Sequence, residues 1–184
     1  MTAVIHRGTR EIGGTVIELR GGNTRLLLDM GYPLFLNGKP IGDRLAQLPP
    51  EELLRLGVLP PIEGLYAWDL PGIDGILISH AHLDHYGLLQ YVHPDIPVYV
   101  STGTKALLYR DSAYQKTFEE WLRAREFGHV CLHTSGHAKA SDIRRLTEGL
   151  QPKKIVPIHT MTPDVFLAYS DKVLLAEDGA AFEL

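Results

Sequence analysis

The chain has 184 residues, of which 45% are hydrophobic and 22% are charged, and its formal net charge is −4. This length and composition are typical of one soluble globular domain, and the negative charge excludes a basic surface spread over the whole protein. The single cysteine, Cys131, excludes an internal disulfide bond, and the absence of a long apolar run predicts a cytoplasmic protein that is not membrane-bound.

The N-terminal part of the chain predicts two strands, at residues 15–19 and 25–28, with a turn at residues 21–23 between them. The second strand ends at Asp29, which Met30 and Gly31 follow. An acidic residue in this position most simply caps the turn that follows the strand.

An irregular insert is predicted over about residues 32–72, which contain seven of the 12 prolines. A short helix is expected inside it, beginning at Pro50 and ending at Gly57, because proline favours the first turn of a helix and glycine its end. The insert is interpreted either as a wall or lid that faces a substrate or as a surface connection.

Three histidines and an aspartate follow a short apolar strand at residues 76–78. Imidazole nitrogens and carboxylate oxygens are the ligands that zinc and similar divalent ions prefer. Alternate residues of an extended chain point to the same side, so His80 and His82 can bind one ion together. Asp84 and His85 are adjacent and must diverge, most simply in a helix that begins at Asp84. The spacing therefore predicts a metal site, and it suits two ions.

The next elements are a helix that ends before His93 and Pro94, a strand at residues 97–101, and one long amphipathic helix at about residues 104–127. The apolar stripe of the long helix favours core packing, and a dimer contact is the alternative. The stripe consists of Leu107, Leu108, Phe118, Trp121 and Leu122.

The C-terminal part predicts a strand at residues 130–133, a helix at residues 142–150 with Ser141 as its N-cap, and a buried strand at residues 154–159. Residues 173–176 and 181–184 are expected to close the chain as a hairpin. Strands that alternate with helices indicate a layered α/β domain, and the whole chain from 1 to 184 is predicted to be one such domain.

The segment Ser-His-Ala-His-Leu-Asp-His-Tyr-Gly-Leu at residues 79–88 resembles the signature of the metallo-β-lactamase superfamily. It looks most like the RNA-processing branch that contains ribonuclease J and the β-CASP enzymes. The resemblance implies an αββα four-layer sandwich, here in a shortened form without the nucleic-acid-clamping domain. It also implies that Asp29 orients the residues that bind the metal and does not bind the ion itself.

A second resemblance lies towards the C-terminus, where Ser-Gly-His-Ala is followed by a helix and then by Pro-Ile-His. This order is similar to the end of ribonuclease J-like enzymes. The resemblance implies that His159 joins Asp84 and His85 around one ion. It further implies that His137, with Ser135 and Gly136, contacts the scissile phosphate of the substrate.

The resemblance covers residues 1 to about 108 and about 130 to 184, and the long helix replaces the family's middle histidine ligand and bridging aspartate. We therefore expect one tightly bound zinc ion at Asp84, His85 and His159, with manganese as the alternative metal. A second ion at His80 and His82 should be weak or absent, since a catalytic zinc site needs three protein ligands. Replacement ligands could come from a second subunit or from Asp111, His129 or His133.

The resemblance implies a metal-dependent hydrolase that cleaves phosphodiester bonds, with RNA as a candidate substrate, a metal-activated water, and Asp84 and His137 as catalytic residues. One alternative is an ester or thioester hydrolase that acts on small molecules, which the negative charge favours. Another is a catalytically impaired, metal-stabilised remnant that binds RNA or a protein, which the missing ligands favour.

Overall fold

The computed structural model describes residues 1–36, 38–41, 47–108 and 140–184. The helices are α1 (Pro50–Arg55), α2 (Leu83–Tyr86), α3 (Thr102–Leu108) and α4 (Ala140–Leu150), and Leu89–Tyr91 and Pro163–Ala168 form 3₁₀ helices. The strands are β1 (Thr2–Arg7), β2 (Val16–Gly21), β3 (Thr24–Leu28), β4 (Phe35–Leu36), β5 (Lys39–Pro40), β6 (Gly75–Ile78), β7 (Val98–Val100) and β8 (Ala181–Glu183).

A six-stranded sheet with the order β7-β6-β3-β2-β1-β8 organises the molecule, and β4 and β5 form a separate hairpin. Strands β3, β6 and β7 are parallel, with Leu28 opposite Leu77 and Ile78 opposite Val100. Their carboxyl ends therefore meet at one edge of the sheet, where Asp29 follows β3 and His80 follows β6. The predicted mixed α/β fold is confirmed.

The core lies on the face of the sheet that carries Leu27, Ile76 and Val98, each 0% exposed. The insert at residues 32–72 covers this face with a group of side chains that are 3% exposed or less: Leu53, Val58, Leu59, Ile62, Leu65 and Tyr66. These six residues are a third of the 18 buried residues of the core in the described part of the chain, whereas the sequence suggested a lid or a surface connection. Its helix α1 begins at Pro50, as predicted.

The opposite face of the sheet is more open at β6 and β7. Leu77 is 40% exposed and Tyr99 is 44% exposed, although the apolar run at residues 76–78 predicted a buried strand. Strand β1 was not among the predicted strands. It joins the sheet between β2 and β8, with Ile5 only 1% exposed.

Three C-terminal predictions differ from the structure. Residues 154–159 do not form a strand, and only Ile155 makes an isolated bridge, to Val173. Pro157 lacks the N–H that a strand ladder requires in this segment. Residues 181–183 pair with β1 rather than forming a hairpin with residues 173–176. Helix α4 already includes Ala140, so Ser141 lies inside the helix and is not its N-cap.

The helix predicted to run from Asp84 to residue 92 is shorter than expected. Helix α2 makes one turn and begins at Leu83, and a 3₁₀ turn follows it. The helix stops because the Leu88 N–H donates a hydrogen bond to the Met30 carbonyl, 2.9 Å away, and not to the helix itself. This bond ties the end of α2 to the segment that follows β3.

Helix α3 is the start of the long helix predicted at residues 104–127, whose remainder from residue 109 lies outside the described residues. The predicted strand at residues 130–133 lies outside them as well. None of the helices in the described part of the chain is long and apolar enough to cross a membrane.

Candidate metal centre

His80 and His82 follow β6 in extended backbone and converge as the spacing predicts. The Nε2 atom of His80 lies 3.0 Å from the Nδ1 atom of His82. Two ligand atoms of a four-coordinate zinc ion are separated by about 3.3 Å, so the pair can address one cation. His80 is half-buried and His82 is exposed. Burial, together with the neighbouring His85 and His82, lowers the pKa of His80 and favours its neutral form.

Asp84, His85 and His159 form a second group, in which all three potential ligand atoms lie within 4.8 Å of one another. The Asp84 Oδ2 atom is 3.6 Å from His85 Nε2 and 3.8 Å from His159 Nε2. These separations are close to the roughly 3.3–3.6 Å that tetrahedral zinc coordination imposes on its ligands. The group fits a divalent cation and leaves one coordination position for water or a substrate.

Asp29 contacts this group through His85 and through Ser79, which precedes the histidines. Its carboxylate accepts hydrogen bonds from the Ser79 N–H at 2.7 Å and from the Ser79 hydroxyl at 2.8 Å, and it lies 2.8 Å from His85 Nδ1. The contact with Nδ1 leaves the His85 Nε2 lone pair directed towards Asp84. Asp29 is 5% exposed and has a φ of 60°, a strained backbone conformation for a residue that is not glycine. The orienting role of Asp29 that the resemblance implies stays a prediction.

His159 is held by the loop that joins β1 to β2. The His159 N–H donates to the Gly8 carbonyl at 2.7 Å, and its Nδ1 lies 3.0 Å from the Thr15 hydroxyl oxygen and 3.4 Å from the Gly13 nitrogen. The Gly13 N–H donates to Nδ1, and this contact and the Thr15 hydroxyl hold the ring with its Nε2 towards Asp84. The sequence interpretation missed Thr15. The sequence signal for Thr15 is a hydroxyl residue that directly follows a glycine pair and directly precedes strand β2.

Gly31 allows the closest approach in the site. A Cβ atom at this position would lie 1.8 Å from the Asp84 carbonyl oxygen, so no other residue fits without moving the ligand. The neighbouring Met30 N–H donates to the His85 carbonyl at 2.8 Å, and the Gly31 N–H donates to the Thr15 carbonyl at 3.1 Å. The segment after β3 therefore joins the ligand turn to the β1–β2 loop.

In the described residues, no basic side chain balances the negative charge of the two aspartates in the site. Among the residues that the structure describes, neither Asp29 nor Asp84 forms an ion pair with lysine or arginine, and their ionisable partners are histidines. Partly buried carboxylates need a compensating positive charge, and neutral imidazoles do not provide one. The arrangement therefore favours a bound cation.

The structure brings most of the predicted site residues together. The rings of His80 and His85 are 3.9 Å apart, and those of His85 and His159 are 4.8 Å apart, so both histidine groups share one edge of the sheet. His93 serves the helix end instead, with its Nδ1 accepting a hydrogen bond from the Asp95 N–H at 3.2 Å. The other predicted site residues and replacement ligands lie outside the described residues: Ser135, Gly136, His137, Asp111, His129 and His133.

Two protein-family models match the chain. A model described as a beta-lactamase superfamily domain matches residues 57–133, and one described as a Zn-dependent metallo-hydrolase RNA specificity domain matches residues 116–169. The first match contains the residues from His80 to His85, and the second contains His159. No curated protein matches the chain. Both family descriptions support a metal-dependent hydrolase of the metallo-β-lactamase type.

Solved structures also resemble the chain. A diphosphatase from the PhnP family aligns with a TM-score of 0.56 and 12% identity, over 98% of this chain and 96% of that one. A protein of unknown function from Enterococcus faecalis V583 aligns with a TM-score of 0.46 and 22% identity, over 75% of this chain. The alignment covers 35% of the latter protein, about a third of its length. The diphosphatase alignment and the superfamily match show that the fold is metallo-β-lactamase-like.

Proposed function

We propose that the protein is a metal-dependent hydrolase that cleaves phosphodiester bonds in RNA. The observation that carries this proposal is the group of Asp84, His85 and His159, whose carboxylate has only histidines as ionisable partners in the described part of the chain. The match to an RNA specificity domain over residues 116–169 supports RNA as the substrate.

The ligand set favours zinc, because two imidazoles and one carboxylate with an open position are typical of catalytic zinc sites. When bound, the ion supplies Lewis-acid chemistry to a phosphoryl oxygen and lowers the pKa of water. Asp84, His85 and His159 hold this ion tightly, and manganese is the alternative metal. His80 and His82 provide two ligands for a second, weaker site beside it.

The protein's own residues divide the remaining work. Asp84 and His85 project from the single turn of α2, which Met30 and Leu88 fix to the segment after β3 through backbone hydrogen bonds. His137, with Ser135 and Gly136, contacts the phosphate of the substrate. This role follows from the resemblance, and the match to the RNA specificity domain includes all three residues.

The test is cleavage of a short single-stranded RNA, labelled at both ends, by protein purified without chelator. We expect cleavage that requires zinc or manganese and that Asp84→Ala abolishes by dismantling the metal centre. His137→Ala should retain the metal and lower the rate by about 10²–10³, as the loss of one positioned donor does.

Three other outcomes would overturn parts of this proposal. Hydrolysis of thioesters but not of RNA would assign the same centre to small-molecule esters. RNA binding without turnover of either substrate, with both metals tested, would indicate a binding protein stabilised by its ion. Loss of the metal in His137→Ala would make His137 a ligand rather than a contact for the phosphate.

A further inference from the structure

A cavity of about 270 Å³ lies between α4, the 3₁₀ helix Pro163–Ala168 and the bridge of Ile155 with Val173. Its floor is apolar and its rim carries an aromatic ring and a guanidinium group. Mixed linings of this kind, in which a few polar groups face an apolar surface, are typical of sites that bind small organic groups. Its lining includes Ile143, Ile155, Val165, Phe166, Tyr169 and Arg144.

The rim of the cavity is built from flat groups. Phe166 and Tyr169 meet edge to face, with ring centroids 6.1 Å apart, and the Arg144 guanidinium carbon lies 5.2 Å from the centre of the Tyr169 ring. Tyr169 is nevertheless 50% exposed. Aromatic rings and guanidinium planes are the surfaces on which proteins stack unpaired nucleobases, and each such contact contributes about 1–3 kcal/mol.

One basic group lines the cavity, the guanidinium of Arg144. Within residues 1–36, 38–41, 47–108 and 140–184, no carboxylate forms an ion pair with it. An acyl chain would need only the apolar lining, whereas a nucleotide would use the apolar lining, the rings and the guanidinium together. The combination of two aromatic rings with an arginine that no carboxylate neutralises in the described residues therefore favours a nucleotide.

A salt bridge joins the 3₁₀ helix beside the cavity to the loop that contacts His159. The Arg10 guanidinium donates two hydrogen bonds, of 2.9 and 3.2 Å, to the Asp164 carboxylate next to the cavity wall. Arg10 belongs to the same β1–β2 loop whose Gly13 nitrogen lies beside His159. Since Phe166 is seven positions after His159, their Cα atoms are at most about 25 Å apart. An RNA strand of a few nucleotides can span this distance.

We propose that this cavity, which we name the Tyr169 pocket, binds one base of a single-stranded RNA whose scissile phosphate lies at the metal centre. This inference rests on the proposed function. The base stacks against Tyr169 and Phe166, and Arg144 contacts a neighbouring phosphate. The pocket thereby fixes the distance between the bound base and the cleavage point.

The experiment scans a single abasic site through a short RNA with a cleavage-resistant backbone and measures its binding to the metal-loaded protein by fluorescence anisotropy. We expect one position at which the abasic site weakens binding about 5–100-fold, the effect of one lost stacking contact. Tyr169→Ala should weaken binding of the intact RNA by a similar factor and should remove the penalty at that position. Tyr169→Phe should restore both.

The control is Tyr99→Ala, which removes a similarly exposed tyrosine from β7 and should leave the abasic profile unchanged. An abasic penalty that persists in Tyr169→Ala would overturn the proposal, as would an equal effect at every position. Displacement of the RNA by a short acyl thioester would assign the pocket to an acyl chain. Because this assay measures binding of an RNA that is not cleaved, failure of the wild-type protein to cleave unmodified RNA would not alter the binding result, which separates the two proposals.

Discussion

The central sheet carries two acidic groups whose surroundings differ in kind. Glu18, in β2, is 0% exposed, and its carboxylate accepts hydrogen bonds from Arg20 and Arg25 at 2.7 Å and lies 2.9 Å from His6 Nε2. Asp84, at the edge of the same sheet, has His85 and His159 as its ionisable partners in the described chain. One carboxylate is neutralised by arginines, and within the described residues the other is not.

The difference distinguishes Glu18, whose charge is structural, from Asp84, whose surroundings suit a cation. Burial alone would raise the pKa of Glu18, but hydrogen bonds from Arg20, Arg25 and His6 lower it to about 2. Such saturation leaves Glu18 no capacity for a ligand. At Asp84 the ionisable partners in the described residues are imidazoles rather than arginines, so this group suits a divalent ion.

Removal of a ligand from the second group should have the largest effect. We expect His85→Ala to lose the tightly bound ion completely, because His85 is buried, braced by Asp29 and faces both other ligands. The measurement is the metal content of protein purified without chelator, with about one zinc-like ion per chain in the wild type.

Two histidine variants serve as controls for this prediction. His93→Ala should retain the ion, since the His93 ring contacts Asp95, two residues further along the chain, and is not one of the proposed ligands. His82→Ala should also retain it and affect only a weaker second site. Two ions of equal affinity in the wild type would contradict the asymmetry between the groups.

A second prediction concerns Glu18, which should matter for stability and not for metal content. We expect Glu18→Gln to lower the free energy of unfolding by about 1–3 kcal/mol at pH 7, reduced from the full linkage value because Arg20 is partly exposed. Urea denaturation checks the magnitude. Unaltered metal binding in the folded variant is the expected companion result.

The pH dependence follows from the direction of the pKa shift. The folded-state pKa of Glu18 lies below the ordinary value of 4.5, so its stabilisation is fully present above that pH. It should disappear as the pH falls from about 4.5 to about 2, and the difference between the wild type and Glu18→Gln should shrink over that interval. A difference that is constant from pH 7 to pH 2 would be evidence against the arginine network.

The contrast also explains what the sequence could predict. Alternation after an apolar strand placed His80 and His82 together, and the parallel strands β3 and β6 bring Asp29 beside them. The contribution of residues 53–66 to the core was not predictable from periodicity, because these apolar residues follow neither a helical nor a strand repeat. Long-range packing against the sheet, rather than local pattern, buries them.

The position of His159 shows the same limit. The sequence expected a strand that ends at His159, but Pro157 interrupts the segment and the residue adopts a φ of 55° in a loop. His159 reaches the site because Gly8 and Thr15, nearly 150 positions earlier in the chain, hold its backbone and ring. No local pattern encodes a contact at that separation.

The smallest expected effect is that of Thr15→Val, which sharpens the comparison at the level of one hydroxyl group. Thr15 is 2% exposed in the folded protein and has nearly the same shape as valine. The variant therefore removes the contact with His159 Nδ1 and little else. Without that contact the ring is held less firmly in its orientation towards Asp84. Loss of such a supporting contact typically lowers metal affinity 10–100-fold.

Competition with a zinc-sensitive chelating dye measures this affinity directly, and Thr15→Ser is the matched variant that keeps the hydroxyl group. We expect Thr15→Ser to bind zinc as the wild type does and Thr15→Val to bind it less tightly while retaining the same denaturation midpoint without metal. Equal weakening in both variants would indicate a packing effect. Unchanged affinity in Thr15→Val would show that the other contacts of His159, including those with Gly8 and Gly13, fix the third ligand without the hydroxyl group.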